Sequence, residues 1–296
     1  MTTIAFIGLG NMGTPMAQRL LAAGHTVRGF DVAEQAKARL AEAGGTSCSS
    51  PAEAVDGASA VILMLPNSDV VEGVILSPEV NAGLAANTLV IDMSSSEPLR
   101  SRALEQRLRP KGIRFVDAPV SGGVKGAENG ALTVMAGGTD EDLAEADAIL
   151  ACFGTVKRAG QVGAGHAAKA LNNLMSATHL LVSSEAILAG QGFGVDPELL
   201  LQIVNGSSGK SGSTENKWPN FILPGTYNSG FALKLMLKDM KIAVDLADQV
   251  HAASRLSHAA VQLWEEAAAE LPNNADHTEI ARWVAATSQE SAVSHR

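Results

Sequence analysis

Cysteine is scarce in this sequence: only Cys48 and Cys152 occur among 296 residues. Each stands alone, so the chain lacks the cysteine framework of a small disulfide-stabilised secreted domain. This usage is typical of reduced thiols, and we expect a cytoplasmic protein. The seven histidines are scattered and form no H-E-x-x-H or Cys/His cluster, so no metal site is expected.

Positive charge is also scarce, with 22 Lys and Arg against 31 Asp and Glu and a formal net charge of -9. Nucleic acids and anionic membranes favour clustered Lys and Arg, so we expect neither as a partner. The N-terminus lacks a cationic segment and reaches glycines within a few residues of its start, MTTIAFIGLG. We therefore expect neither a signal peptide nor a membrane span there.

The chain has a globular composition, 46% apolar and 18% charged, and is long enough for two domains. Up to about residue 162, short apolar runs alternate with helical stretches, which predicts an α/β domain with a Rossmann-type doubly wound sheet. Beyond residue 163 the strand patterns stop, and we predict an all-helical domain. The expected domains are therefore 1–162 and 163–296, with a long linking helix at about 165–190.

A glycine-rich loop, GLGNMG, stands between the first predicted strand and the first predicted helix. In a dinucleotide-binding turn, the first glycine makes the turn, the second admits a pyrophosphate and the third lets helix and strand pack closely. The alternative is a tight turn without a ligand. We predict that the loop binds the cofactor through Gly8, Leu9, Gly10, Asn11, Met12 and Gly13.

Asp31 ends the second predicted strand, 18 residues after Gly13. A carboxylate at this place can accept hydrogen bonds from both ribose hydroxyls and would repel a 2′-phosphate. The following residues, VAEQAK, contain no arginine. The sequence therefore favours NAD over NADP.

Three further loops follow predicted strands, where open parallel sheets bind ligands. The loops at 65–67 (LPN) and 94–98 (SSSEP) are candidates for the nicotinamide half of the cofactor. Residues 94–96 before Pro98 also fit a plain helix N-cap. In the third loop, Ser121 is followed by two glycines and could hold a small carboxylate. A structural turn is an equal alternative for that segment.

Lys169 lies in a stretch that otherwise looks built for burial, GAGHAAKALNN. The helical pattern from Gly165 to about Gly190 is apolar nearly all round, so we expect this helix to lie inside the protein. A buried ammonium is costly unless it is paired or used, and burial lowers a lysine pKa. Asn173 and Ser176 share its stripe. The alternative is a lysine that extends to solvent, and we expect His166 to be solvated or capping.

The order and spacing of GLGNMG, LPN, DAPVSGG, GAGHAAKALNN and FALKLMLKDM resemble the β-hydroxyacid dehydrogenase family, which includes 3-hydroxyisobutyrate dehydrogenase, over about residues 2–285. Ser95 departs from the threonine of many relatives but keeps the hydroxyl. The stretch at 206–213 differs between branches of the family. The resemblance implies a catalytic lysine, a loop for the substrate carboxylate, an asparagine that orients the substrate and further cofactor contacts. The implied catalytic lysine is Lys169, and the implied carboxylate loop is Ser121, Gly122 and Gly123. The asparagine that orients the substrate is Asn173. The implied further cofactor contacts are Leu65, Pro66, Ser95 and Lys238.

The resemblance implies an NAD-dependent dehydrogenase of a small 3-hydroxy acid, with Lys169 as general acid and base. One alternative is a reductase of a small semialdehyde acid such as tartronate semialdehyde. Another is a catalytically silent dinucleotide-binding module. An imine reductase is disfavoured, because such enzymes generally lack this lysine. By analogy with the family we expect a homodimer or homotetramer, with its interface beyond about residue 163.

Overall fold

The computed structural model describes residues 2–294, except for the side chains of residues 288–294. The chain divides into two compact units, Met1–Lys169 (unit 1) and Ala170–Arg296 (unit 2). The sequence-based boundary lies between residues 162 and 163, whereas this division falls inside helix α9 (Ala164–Phe193), which occupies the place of the predicted linking helix.

Unit 1 contains a nine-stranded sheet. Its strands are β1 (Thr3–Ile7), β2 (Thr26–Phe30), β3 (Thr46–Ser47), β4 (Ala60–Leu63), β5 (Leu89–Asp92), β6 (Arg114–Asp117), β7 (Val120–Ser121), β8 (Leu132–Gly137) and β9 (Gly154–Gly160). The order β3-β2-β1-β4-β5-β6 is parallel throughout. It is the Rossmann order, so the predicted doubly wound sheet is confirmed. Beyond it, β8 is antiparallel to β6 and β7, and β9 is parallel to β8.

Alternate residues of the central strands enter different hydrophobic layers. In β1, Ile4 and Phe6 join one buried cluster, whereas Ala5 and Ile7 join another. Side chains of a strand point to opposite faces in turn, so both faces of the sheet are covered. This explains why the strands read as continuous apolar runs in the sequence.

The helices of unit 1 follow its strands and set the loops at the strand ends. They are α1 (Gly13–Ala22), α2 (Glu34–Glu42), α3 (Pro51–Val55), α4 (Ser68–Ile75), α5 (Pro78–Gly83), α6 (Pro98–Leu108), α7 (Gly123–Asn129) and α8 (Asp140–Leu150), with a 3-10 turn at Arg109–Lys111. Asn67 caps α4, because its side chain accepts a hydrogen bond from the Val70 amide at 3.0 Å.

Unit 2 is helical. Besides its part of α9, it contains α10 (Pro197–Asn205), a π-helical segment (Ser213–Ile222), α11 (Leu233–Gln249), α12 (Arg255–Glu270), a 3-10 turn (His277–Glu279) and α13 (Ile280–Ser294). Its core includes Trp218, Met240 and Trp264. Within the part of unit 2 that the structure describes there is no strand, only an isolated bridge between Ala232 and Asp276. The predicted all-helical C-terminal domain is confirmed.

Helix α9 is not buried on all sides, contrary to the expectation from its composition. Leu171, Met175 and Val182 are 42%, 59% and 53% exposed. These residues are four and seven positions apart and therefore lie on one face of the helix. The sequence pattern could not separate a face that packs within the chain from an apolar face that does not.

The residues that follow α10, GSSGKSGSTENKWP, form a polar Gly/Ser stretch in the sequence, yet part of this stretch is helical and buried. The π-helical segment begins at Ser213, and Ser213, Thr214 and Trp218 are buried.

No helix among the described residues is both long and apolar enough to cross a membrane.

Candidate active site

The glycine loop has the backbone that its sequence predicts. Gly8 has φ +99°, and a Cβ at this residue would lie 2.2 Å from the Met64 carbonyl oxygen. A Cβ at Gly13 would lie 1.9 Å from the Gly8 carbonyl oxygen. Side chains are therefore sterically excluded at both positions. At Gly10, by contrast, a Cβ would meet no described atom within 4 Å, and this residue leaves open space above the loop.

The start of α1 fits the pyrophosphate of NAD. Met12 occupies the N-cap, and among the described side chains none forms a capping hydrogen bond there. The first turn contains no acidic residue. The helix N-terminus therefore presents amide groups and a positive dipole end beside the open space at Gly10. An anion at this place would supply the missing cap.

Asp31 is held against the glycine loop at the end of β2. Its Oδ2 accepts a hydrogen bond from the Leu9 amide at 2.7 Å, and its Oδ1 accepts one from the Ala33 amide at 2.8 Å. Each carboxylate oxygen can accept a further hydrogen bond, so the ribose hydroxyls of NAD fit the donor and acceptor chemistry. On the following helix, Lys37 is paired with Glu34 at 2.6 Å.

Leu65 is hydrogen-bonded to the loop at residues 94–98, the serine loop. The Leu65 amide donates to Ser94 Oγ at 2.9 Å, and Asp92 accepts from the Ser94 amide at 3.0 Å and from Ser96 Oγ at 2.7 Å. Ser94 and Ser96 therefore form hydrogen bonds within the protein. Ser95 lies between them in the sequence and is partly exposed. Pro66 follows Leu65 at an exposed position.

The alternative that these serines cap a helix is wrong. The N-cap of α6 is Glu97, and it makes no capping hydrogen bond through its side chain. Pro98 does take the first helical position, as its fixed φ favours. Instead, the Ser94 hydroxyl accepts a hydrogen bond from the Leu65 amide, and the Ser96 hydroxyl donates one to Asp92.

Ser121, Gly122 and Gly123 form the exit from β7. Ser121 pairs with Thr133 of β8 and is partly exposed, and both glycines are exposed. Gly122 has φ +132° and Gly123 has φ +65°. A residue with a side chain would be strained at either position because φ is positive at both, which explains the two glycines. Without side chains, their backbone is open to a ligand.

Lys169 lies on the second turn of α9, whose first turn is fixed by Asp117 at the end of β6. The Gly163 amide donates to Asp117 Oδ1 at 2.6 Å, and the His166 amide donates to Oδ2 at 2.8 Å. Burial raises the pKa of Asp117, and the nearby His166 opposes that rise. Lys169 follows His166 by three residues and is partly buried.

His166 differs from its sequence-based expectation. Its side chain is buried rather than solvated, and Nδ1 lies 2.8 Å from Ser101 Oγ on α6. Its backbone amide takes part in the cap at Asp117, but its ring does not cap the helix.

Two predicted residues of unit 2 meet at a carboxylate that sequence reasoning missed. Asn173 Nδ2 donates to Asp239 Oδ2 at 2.6 Å, and Lys238 Nζ lies 3.1 Å from Asp239 Oδ1. Both Asn173 and Asp239 are buried. Asp239 lies on the face of α11 that also buries Met236 and Ala243, and an acidic residue at such an apolar-face position is the signal that could have identified it.

The predicted site residues thus fall into two groups. In unit 1 the glycine loop contacts Asp31, and Leu65 contacts the serine loop. In unit 2 Asn173 and Lys238 share Asp239. Lys169 and Asn173 are four residues apart on α9, one helical turn. The described residues contain no group of three or more His, Cys, Asp or Glu arranged to hold a metal ion.

Known proteins resemble both units. Residues 3–165 match the family model described as the NAD binding domain of 6-phosphogluconate dehydrogenase. Residues 163–284 match the model described as NAD-binding of NADP-dependent 3-hydroxyisobutyrate dehydrogenase.

Individual relatives cover most of the chain. The 3-sulfolactaldehyde reductase of Escherichia coli K12 is 36% identical over 91% of this chain and 91% of its own length. The NAD-dependent L-serine dehydrogenase of Pseudomonas aeruginosa is 38% identical over 89% of this chain and 91% of its own length. The structure of Mycobacterium tuberculosis 3-hydroxyisobutyrate dehydrogenase with L-serine aligns with a TM-score of 0.90 and 34% identity, covering 96% of this chain and 99% of that one.

These matches confirm the predicted oxidoreductase that acts on a CH-OH group with NAD as cofactor. The identity and coverage exceed what a shared fold alone would give, and both units take part. The chain belongs to the β-hydroxyacid dehydrogenase family.

Proposed function

We propose that the protein interconverts a short 3-hydroxy acid and its carbonyl form, with Lys169 as the group that takes up and returns the proton. In oxidation the neutral amine of Lys169 accepts the hydroxyl proton. In reduction its ammonium donates a proton to the carbonyl oxygen. NAD, when bound, accepts the hydride in oxidation and NADH supplies it in reduction.

One observation carries the proposal: the helix that bears Lys169 starts from a cap at the carboxyl end of the parallel strands. Asp117, the last residue of β6, holds the amides of Gly163 and His166, and Lys169 follows within one turn. Ligands of open α/β sheets bind at this edge. A proton-transferring group has to be held in fixed geometry, and the capped first turn supplies that.

The remaining roles follow the chemistry of each side chain. Ser121 and the backbone of Gly122 and Gly123 offer an anion cradle for the carboxylate. Asn173 is fixed by its hydrogen bond to Asp239 and orients the substrate hydroxyl without adding charge.

The cofactor contacts are assigned residue by residue. The glycine loop, Asp31, Leu65, Pro66 and Ser95 are assigned to it in unit 1. Lys238, whose ammonium is paired with Asp239, keeps the cofactor role that the family resemblance implies.

The named substrates of the relatives support a short acid but differ in the group beyond the hydroxyl. They include 3-sulfolactaldehyde, L-serine and 3-hydroxyisobutyrate. We favour 3-hydroxyisobutyrate-like acids, with reduction of a small semialdehyde acid as the reverse alternative. A catalytically silent module is disfavoured, because Lys169, Asn173 and Ser121 are all present.

A panel of acids tests this function. We expect oxidation of at least one of 3-hydroxyisobutyrate, 3-hydroxypropionate, glycerate, threonate and serine with NAD. Lys169→Met keeps the apolar stem and removes the exchangeable proton, so kcat should fall by roughly two to four orders of magnitude. NAD affinity should remain within about threefold. Loss of NAD binding in this variant would show that the lysine is structural.

We also infer a cytoplasmic homo-oligomer, with a dimer as its smallest form and an interface beyond residue 163. Cys48 and Cys152 are both free thiols, which suits a reducing compartment. The apolar face of α9 formed by Leu171, Met175 and Val182 suits burial against a second copy. Light scattering at micromolar concentration should give a dimer or tetramer, and Val182→Glu should shift it towards monomer. A monomeric wild type would contradict the inference.

A further inference from the structure

A buried polar cluster lies in unit 1 at the end of the sheet where α9 begins. Its members are Asp92, Ser101, Asp117 and His166, all of which are buried. Asp92 ends β5 and Asp117 ends the neighbouring strand β6. Buried charges are kept only where other groups compensate them, so the contacts of this cluster indicate its purpose.

The space around Asp117 is preserved by glycines. A Cβ at Gly137 would lie 2.6 Å from Asp117 Oδ1, and one at Gly165 would lie 2.9 Å from Oδ2. The Gly165 Cβ would also lie 2.1 Å from the Met135 carbonyl oxygen. Gly163 has φ +87°, which favours glycine for its backbone. The glycines of GAGHAAK therefore let the start of α9 approach the end of the sheet.

The tautomer of His166 follows from its hydrogen-bond partner. Ser101 Oγ donates to the Glu97 carbonyl oxygen at 3.2 Å, so it accepts from His166 Nδ1-H at 2.8 Å. The opposite nitrogen, Nε2, lies 3.7 Å from Asp92 Oδ2 and makes no hydrogen bond with any described group. The imidazole is thus anchored to α6 and faces the carboxylate of β5.

Asp92 connects the cluster to the proposed cofactor loops. It accepts hydrogen bonds from the Ser94 amide and Ser96 Oγ, and Ser94 Oγ accepts from the Leu65 amide. The same carboxylate therefore shapes the loop of Ser95 and faces the ring of His166. One turn further along α9 stands Lys169.

We propose that His166 is a positioning residue, which fixes the first turn of α9 against Ser101, Asp92 and Asp117 and so sets where Lys169 stands relative to the loop of Ser95. This inference rests on the proposed function of Lys169 and assigns a role in the same reaction to a residue that does not contact the substrate. His166 moves no proton. An error of about 1 Å in the placement of a catalytic group can cost about a hundredfold in rate, so the imidazole acts on turnover rather than on binding.

Two substitutions separate its contacts. His166→Leu removes both ring nitrogens, and we expect kcat to fall about tenfold to a hundredfold. KM for the acid and the dissociation constant for NAD should stay within about threefold. His166→Asn keeps a donor near Nδ1 for Ser101, and we expect it to recover at least about fivefold of the lost kcat. His258→Asn, a matched change at an exposed histidine, should leave kcat unchanged.

The pH profile distinguishes positioning from a proton relay. In His166→Leu the profile of kcat/KM should keep the limb that belongs to Lys169, at reduced amplitude. Disappearance of that limb would make His166 a proton carrier and overturn the inference. A lower unfolding temperature with an unchanged kcat would make the cluster merely structural and also overturn it. If His166→Leu does not fold, Ser101→Ala replaces it, because it removes the partner of Nδ1, and an unchanged kcat in that variant is the contrary result.

A labelling measurement works without any turnover. Acetic anhydride acetylates amines, and mass spectrometry gives the rate at each lysine. We expect His166→Leu to change the rate at Lys169 by at least about threefold and to leave that at Lys241 unchanged. An unchanged rate at Lys169 contradicts the inference even if no acid in the panel is a substrate, whereas a wild type inactive on the whole panel contradicts the proposed function instead.

Discussion

Among the described residues, each unit buries a histidine beside an aspartate and a serine, yet the two surroundings differ. In unit 1, His166 Nδ1 donates to Ser101 Oγ and lies 3.8 Å from Asp117 Oδ2. Its Nε2 lies 3.7 Å from Asp92 Oδ2. In unit 2, His277 Nδ1 lies 3.1 Å from the Phe231 carbonyl oxygen and 3.0 Å from Ser229 Oγ. Ser229 donates to Asp276, so Nδ1 of His277 carries the proton, and the Phe231 carbonyl oxygen and Ser229 Oγ are both placed to accept it.

The difference lies in what the carboxylates do. Asp276 is occupied by the amides of Gly230, Phe231 and Thr278, so it closes a loop and a 3-10 turn. Asp92 and Asp117 hold the loop of Ser95 and the helix of Lys169. The same residue types thus stabilise a turn in unit 2 and bring together two proposed functional segments in unit 1. The role of each buried histidine therefore depends on the segments that its neighbouring carboxylates hold together.

Acid provides the largest test of this comparison. Burial and the positive charge of Lys217 lower the pKa of His277 to about 4, although Asp276 opposes the shift. Since the unfolded chain has a histidine pKa of about 6.5, it binds the proton more readily than the folded chain. The stability due to a neutral His277 is therefore fully present above about pH 6.5 and is lost as the pH falls through 4. The loss should reach about 3 kcal/mol.

Urea unfolding between pH 4 and 7 measures this loss in the wild type and in His277→Asn. The asparagine keeps a donor for the Phe231 carbonyl and does not titrate. We expect the free energy of unfolding to fall less steeply with acid in the variant, by about 3 kcal/mol over the range. Parallel curves would show that His277 carries no buried neutral form.

Glycines on α9 give the next largest effect. In Gly165→Ala the new Cβ would collide with the Met135 carbonyl and crowd Asp117, so we expect a loss of about 2 to 3 kcal/mol in the free energy of unfolding. Gly192, on the same helix, has no described neighbour for a Cβ within 4 Å. Gly192→Ala should stabilise by about 0.5 to 1 kcal/mol through helix propensity. Equal effects of the two changes would remove the special role of the α9 start.

The smallest expected effect concerns Asp31, a further aspartate that accepts backbone hydrogen bonds. Asp31 is only partly buried, so it is available to a ligand, unlike Asp117. We expect kcat/KM with NAD to exceed that with NADP by at least about tenfold, or about 1.4 kcal/mol. Asp31→Ala should reduce this ratio, whereas Glu42→Ala, at an exposed acid on α2, should preserve it. Equal efficiencies in the wild type would contradict the role of Asp31.

Local pattern was sufficient for the central strands and the cofactor loop. Six apolar runs, TIAFIG, HTVRGFD, AVILMLP, TLVIDM, IRFVDAP and ALTVMAGG, predict the strands β1, β2, β4, β5, β6 and β8. The glycines at 8, 10 and 13 predict a tight turn, and side chains are sterically excluded at Gly8 and Gly13. The strands β3, β7 and β9 were missed. Two of them have two residues each, and β9 carries Lys157 and Arg158 with most of its length exposed. A strand without a buried face leaves little apolar pattern to read.

The polar contacts behind the candidate site could not be predicted from local pattern. Asp117 and Gly163 are 46 residues apart, and Asn173 and Asp239 are 66 residues apart. Only the fold brings such pairs together. The sequence therefore indicated Lys169, Asn173 and Lys238 but not the carboxylates that hold their segments. It also suggested an exposed His166, because a histidine at a helix start carries no signal of burial.

The rate of oxidation by Lys169→Arg shows whether Lys169 accepts the proton or only supplies a positive charge. Arginine keeps the positive charge but stays protonated at any working pH, so it cannot accept the hydroxyl proton. With saturating NAD and the best acid of the panel, we expect kcat for oxidation to fall by roughly two to four orders of magnitude, as in Lys169→Met. A value of kcat close to that of the wild type would show that Lys169 is an electrostatic anchor and would contradict its role as the proton acceptor.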